Sequence, residues 1–362
     1  MKIPYRDLSV TDTQMRKELL LAVEKVLQHG MILLGPEVEA FEEQVAQFCQ
    51  KKYAVGVNSG TDALYLSLKS LGIGPGDEVI TTPLSWIATT NAIVLCGATP
   101  VFVDIGEDLN INADLISDAI TDRTKAIIPV HFTGKLCDMD RIMMIAKANN
   151  LYVVEDAAQA FGASRNNKMA GSFGHVNCFS MNPMKVYCAY GEAGSIVTDN
   201  EDVYHSLLSL RYAGTINKEN CHIPSLNGRL DTIQAAMMLI NFKYLFQKME
   251  RLQEIANYYT NSLQDIITCP EPDGSFHAFY SYTVITPQRD QLQEYLNSKG
   301  IETKIQHPIL MPYHIAYKKL FSKIKIPVAG RLVKQILCIP NHEKLQQDEQ
   351  EYIVKCIKEF VT

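Results

Sequence analysis

The chain has 362 residues, 47% of them apolar and 20% charged, a composition that supports a large buried core and excludes a disordered chain. Its net charge of -6 is spread without a basic run, which excludes the footprint of a nucleic-acid or anionic-membrane binder and leaves small molecules as the expected ligands. Nine cysteines with no C-x-x-C pair do not make the framework of a small secreted protein, and reduced thiols in or near the core are expected.

At the start, MKIPYRDLSV places Pro4, Arg6 and Asp7 where a signal peptide needs an apolar run, so no targeting segment is read and a cytoplasmic location is expected. From Tyr53 to Ser180 the short runs YAVGVN, EVIT, PVFV, TKAIIPV, LYVVE and VNCFS alternate with segments long enough for crossover helices. That alternation predicts an α/β fold, a mostly parallel sheet with helices on both faces. Ligands of such sheets sit beyond the carboxyl ends of the strands. The most apolar stretch, Leu84 to Val103, is broken by Thr89, Thr90, Asn91, Gly97 and Pro100 and does not read as a membrane span.

A long helix is expected from about Leu230 to Leu263. After the turn-rich Cys269 to Gly274 come a strand at YSYTVIT, a helix over Asp290 to Ser298, a strand around Thr303 and a final helix from Gln347. These describe a smaller α+β domain, and the division is placed between 1–245 and 246–362.

Three junctions carry chemistry. In VNSGTDAL (Val57 to Leu64) a strand gives way to a helix whose free N–H groups suit a phosphate, although an ordinary N-cap explains the same residues. In VVEDAAQAFGA (Val153 to Ala163) a strand delivers Glu155 and Asp156 at its carboxyl end. An aspartate about 4 Å from a pyridine nitrogen, at an effective dielectric of about 20, holds the ring proton by roughly 4 kcal/mol; a helix cap is the plainer meaning. In CFSMNPMKVYCAYGEAGSIVTD (Cys178 to Asp199), Lys185 sits in a Pro-containing turn between two apolar strand-like runs. A partly desolvated lysine there can lose its proton and attack a carbonyl, whereas most loop lysines are simply solvated. His175 and Cys178 form a lone H-x-x-C, so no metal site is expected.

Taken together these segments, with GMILLGPEVEAFE (Gly30 to Glu42), GIGPGDEVITTPLSWIATTNAI, GATPVFVDI, LNGRLDTIQAA and LCIPNHEKL, resemble the DegT/DnrJ/EryC1/StrS family of sugar aminotransferases over nearly the whole chain. The resemblance implies the aspartate-aminotransferase-like fold type I and pyridoxal 5'-phosphate as cofactor. It implies that Lys185 carries the cofactor as a Schiff base and that Asp156 partners the ring nitrogen. By the same likeness Gln159 neighbours the ring hydroxyl, Trp86 stacks on the ring, and Gly60, Thr61 and Ser180 hold the phosphate. Asn227 and Arg229 match residues that reach the site from the other subunit, which implies a homodimer with shared sites. His307 and His314, in HPILMPYH, are candidates for the substrate pocket. The implied reaction moves an amino group from L-glutamate to a nucleotide-linked keto-deoxysugar, at C3 rather than C4. Two alternatives stay open: a sugar dehydratase of the same fold, which has histidine in place of Lys185, and a regulatory relative without turnover. Where the family has an aromatic residue after the serine, this chain has Met181 and Asn182, and where the family has a Gly-Glu-Gly-Gly or Gly-Asp-Ala-Gly type turn it has Gly191, Glu192, Ala193 and Gly194; both departures are expected to reshape the sugar pocket.

Overall fold

The computed structural model describes residues 2–321 and 324–361. Helices α1 (Thr13–His29) and α2 (Pro36–Phe48) precede strand β1 (Tyr53–Val57). Helix α3 (Gly60–Ser70), β2 (Glu78–Thr81), α4 (Ala88–Leu95), β3 (Thr99–Phe102), β4 (Thr124–Ile128), α5 (Met139–Ala148) and β5 (Tyr152–Asp156) follow. A hairpin of β6 (Ser164–Arg165) and β7 (Lys168–Met169) leads to β8 (Val176–Ser180), β9 (Gly194–Thr198) and α6 (Glu201–Leu210). A second hairpin, β10 (Thr215–Ile216) and β11 (Asn220–Cys221), precedes α7 (Thr232–Leu263). The chain ends in β12 (Tyr282–Ile285), α8 (Arg289–Ser298), α9 (Pro327–Leu332), β13 (Ile336–Ile339) and α10 (Gln347–Val361).

The central sheet has the order β1-β9-β8-β5-β4-β2-β3. All neighbours are parallel except the two pairings of β9, which runs antiparallel to both β1 and β8. The expected mostly parallel α/β sheet is what forms, and each of the six expected runs contributes a strand. Both faces are buried, as the near-continuous apolar character of the strands requires. Val154, Val176, Cys178 and Ile196 pack on one side with α3, α4 and α6. Their neighbours in sequence, Val153 and Phe179, turn to the opposite side, towards α5 and α2 respectively. Among the described residues no helix is long and apolar enough to cross a membrane.

Two features of the C-terminal part differ from the simple reading. No strand forms around Thr303: Ile301 bridges Ile3 while Lys304 bridges Cys338, so the segment has a different partner at each end and no continuous ladder. Helix α7 runs unbroken across positions 245 and 246, where the domain division was placed. Its early part meets α1 through Lys243 and Tyr244, which bond Glu18. Further along, Arg251 and Tyr259 reach the carbonyls of Leu345 and Pro340.

The end of β5 is fixed by a buried carboxylate. Glu155, with no exposed surface, accepts N–H bonds from Gly171 at 2.9 Å and from Phe173 and Gly174 at 2.7 Å. Its fourth partner is Nε2 of His131 at 2.9 Å. The other ring nitrogen, Nδ1, accepts the N–H of Cys137, which places the ring proton on Nε2, facing Glu155. Burial pushes the Glu155 carboxyl up, but the His131 hydrogen bond and the backbone donors outweigh it and leave the group lowered. A depressed carboxylate stabilises the fold above its unfolded value and loses that contribution as pH falls through the folded one. We therefore expect Glu155→Gln to lower the unfolding free energy at pH 7 by about 2–4 kcal/mol, through misdirected buried donors. In urea titrations the gap should narrow below the ordinary glutamate value of 4.5.

Candidate active site

The carboxyl ends of β1, β5 and β8 open on one edge of the sheet, and the turn between β8 and β9 closes over it. Ser59 ends the β1 connection and caps α3: its Oγ accepts the N–H of Asp62 at 3.0 Å and its carbonyl that of Ala63. Among the described hydrogen bonds none satisfies the first-turn N–H groups of Gly60 and Thr61, which stand at the positive end of the helix. Gly60 is glycine for want of room: a Cβ there would stand 2.6 Å from Cβ of Ser180. That close approach brings the Ser180 hydroxyl to the same helix start.

Asp156 ends β5, 4% exposed. Its Oδ2 accepts from the Thr89 hydroxyl at 2.8 Å and its Oδ1 from the Ala158 N–H at 3.3 Å. Burial raises the Asp156 carboxyl, and the Thr89 bond, the Ala158 bond and the charge of Lys185 oppose that rise. Lys185 is half-buried in the β8–β9 turn, with its N–H on the Asn182 carbonyl. Its Nζ lies 4.4 Å from the centre of the Tyr280 ring. Burial brings the Lys185 amine down to about 8, against the pull of Asp156 and with the help of Arg6.

Gln159 is buried, and its Oε1 accepts the Thr133 N–H at 2.9 Å and the Gln306 amide at 3.3 Å. Trp86, 60% exposed, has its ring 5.7 Å from that of His307. His307 stands between Trp86 and Phe132 in a left-handed backbone (φ 52°), with Nε2 buried and unpartnered. Burial, then the charge of Lys185, lowers its imidazole to about 3. His314 lies further along the same segment, which is anchored to the Trp86 loop by the bond from Met311 N–H to the Pro83 carbonyl. Asn227 and Arg229 bond each other at 2.8 Å, and Arg229 rests on the Tyr212 ring. Among the described contacts neither touches Lys185 or Asp156.

The two residues after Ser180 do different things. Met181 is fully buried in the main core, so its side chain packs inward and does not shape a pocket. Asn182 bonds Glu192 at 2.7 Å and so ties the two limbs of the Lys185 turn together. Arg6, Tyr280, Thr89 and Gln306 also line or support the site. Nothing in their local sequence marks them, because long-range packing alone brings them there.

The sequence profile of the DegT/DnrJ/EryC1/StrS aminotransferase family matches residues 13–358. A "Pleiotropic regulatory protein" of Geobacillus stearothermophilus is 36% identical over 99% of this chain and 99% of its own length. A "dTDP-3-amino-3,4,6-trideoxy-alpha-D-glucose transaminase" of Streptomyces venezuelae is 35% identical over 99% and 96%. Among solved structures, NtdA of Bacillus subtilis with bound PMP superposes with a TM-score of 0.94 at 28% identity, over 99% of this chain and 85% of that one.

The electrostatics of the pair can be checked without ligand. In cofactor-free protein, acetylation of Lys185 followed against pH by mass spectrometry should show a midpoint of about 8. Asp156→Asn should move that midpoint down, since removing the carboxylate removes the attraction that favours the ammonium form.

Proposed function

Because the chain belongs to the DegT/DnrJ/EryC1/StrS aminotransferase family, we propose that it is a cytoplasmic pyridoxal-phosphate-dependent aminotransferase that moves an amino group from L-glutamate to a nucleotide-linked keto-deoxysugar. The observation that carries this reading is a half-buried lysine, lowered to about 8, whose charge is coupled to a buried aspartate at the end of a neighbouring strand. Three further features fit the cofactor: the cradle at Gly60 that a Cβ would fill, the idle N–H groups at the start of α3, and the exposed indole of Trp86.

Bound there, pyridoxal phosphate supplies a carbonyl that condenses with amines and a ring that draws electrons from the carbon losing its proton. The chain's own residues do the rest. Gly60, Thr61 and Ser180 hold the phosphate, as a helix N-terminus favours an anion. Asp156, whose carboxylate is oriented by the hydroxyl of Thr89 and the N–H of Ala158, would hold the ring nitrogen. Gln159 would hold the ring hydroxyl and Trp86 the ring face. Lys185, with about a tenth of its amine neutral at pH 7, first acts as nucleophile. With its amine free, Lys185 would also serve as the base and acid that takes up and returns a proton, a task that suits a group tuned close to working pH.

The sugar is placed against His307, whose imidazole stays neutral at working pH and whose Nε2 lacks a partner, and near His314. Asn227 and Arg229 complete the neighbouring site of a homodimer. Exposed apolar side chains at Met31, Ile32 and Leu33 and at Ile216, Ile223 and Leu226 support a buried interface around them. Amination at C3 is favoured over C4, in keeping with the 3-amino product named for the Streptomyces relative. The regulatory name of the Geobacillus relative keeps a second reading, a sensor without turnover.

Purified protein mixed with pyridoxal phosphate should show an absorbance band at about 400–430 nm that Lys185→Ala abolishes. L-Glutamate should bleach the band, and a nucleotide keto-sugar should restore it with a new amine located by NMR. A band that L-glutamate leaves unchanged would favour the sensor; an absent band would sink the assignment.

A further inference from the structure

A cavity of about 640 Å³ lies between the N-terminal arm, the Lys185 turn and α7. Arg6 stands on its wall, as does Lys185. The arm is pinned by two backbone bonds, Ile3 N–H to the Gly300 carbonyl and Glu302 N–H to the Ile3 carbonyl, both 2.9 Å. Lys344 holds the next stretch through the Asp7 carbonyl. Arg6 is thereby held in place: Nη1 bonds the Asn341 carbonyl at 3.1 Å, and the guanidinium lies 5.3 Å from the centre of the Tyr280 ring. That is also the ring beside which Lys185 Nζ lies, so two cations gather at one aromatic ring and repel each other.

The guanidinium is underused. Its Nε is buried without a hydrogen-bond partner, and among the described ion pairs none involves Arg6. The acids of the same cavity wall are engaged elsewhere or stand apart. Asp7 binds Ser9 and Lys344, Asp12 caps α1 through Met15, and Glu254 pairs with Arg251; Glu250 and Glu343 remain, neither paired with Arg6. A part-buried guanidinium whose Nε is buried and idle is a costly arrangement unless an oxyanion completes it. An α-amino acid carries an amine and a carboxylate on one carbon. A reactant whose amine must reach the place of Lys185 therefore brings a carboxylate to its immediate surroundings.

We infer that Arg6 is the carboxylate-recognising residue for the amino donor, an oxyanion position beside Lys185 supplied by the N-terminal arm. This inference rests on the aminotransferase reading, and it adds the residue that selects an amino acid over a neutral amine. The planar fork of arginine matches a carboxylate with two parallel bonds, a match that lysine does not reproduce.

The test uses protein loaded with pyridoxal phosphate and titrated at equilibrium with glutarate, a dicarboxylate lacking an amine, followed by calorimetry and by the cofactor band. UDP and dTDP are titrated in parallel as phosphate oxyanions. Arg6→Met should weaken glutarate about 10- to 100-fold, the loss of a charged hydrogen bond, with the nucleotides changed less than twofold and the cofactor band retained. Arg6→Lys, which keeps the charge if Arg6→Met does not fold, should fall between. Glutarate binding unchanged in the variants would overturn the inference. So would nucleotide binding weakened as much as glutarate binding, or a wild-type protein that shows the band yet binds no glutarate. Failure of the aminotransferase reading looks different: the wild-type band itself is missing.

Discussion

Strand β9 enters the sheet antiparallel between β1 and β8, and the site depends on that insertion. A parallel neighbour would have returned the chain to the far edge through a crossover, whereas an antiparallel one allows the short connection from Ser180 to Gly194 to stay at the carboxyl end. Lys185 is carried on that connection. The same edge receives Asp156 from β5, next to β8, and the start of α3 from β1. Three separate parts of the chain thus meet because one strand runs the wrong way.

Strand geometry then divides the labour between adjacent residues. Side chains alternate across a sheet, so Glu155 and Asp156 leave β5 on opposite faces. Glu155 gathers three backbone N–H groups and the His131 ring on one side, which secures the strand end. Asp156, on the other, is left with few donors and a nearby lysine, and burial raises its carboxyl. One carboxylate is saturated and anchors the strand; its neighbour is under-satisfied and available to a ligand.

Much of this was legible in the sequence because it is local. Runs rich in valine and isoleucine marked the strands, and small or capping residues marked the junctions at Ser59 to Asp62 and after Asp156. The residues that frame Lys185 from outside were not legible. Tyr280 and Arg6 sit far from it along the chain, and only the pinning of the arm against Gly300 and Glu302 brings them together. The strand expected at Thr303 fails for a related reason: its local preference is extended, but a ladder needs one continuous partner and this segment has two. Met181, read as a pocket residue, is drawn into the core by the alternation of the strand it follows.

Helix α7 holds 32 residues without a break, about 48 Å at 1.5 Å per residue. It begins against the helices that precede the sheet and ends against the C-terminal strands and α10, so it works as a strut joining both ends of the molecule. A shift of the C-terminal strands and α10 relative to the sheet would bend that rod or slide along it. Mechanical coupling of this kind would carry a push on the C-terminal helix α10 to α1 and α2, the helices that precede the sheet.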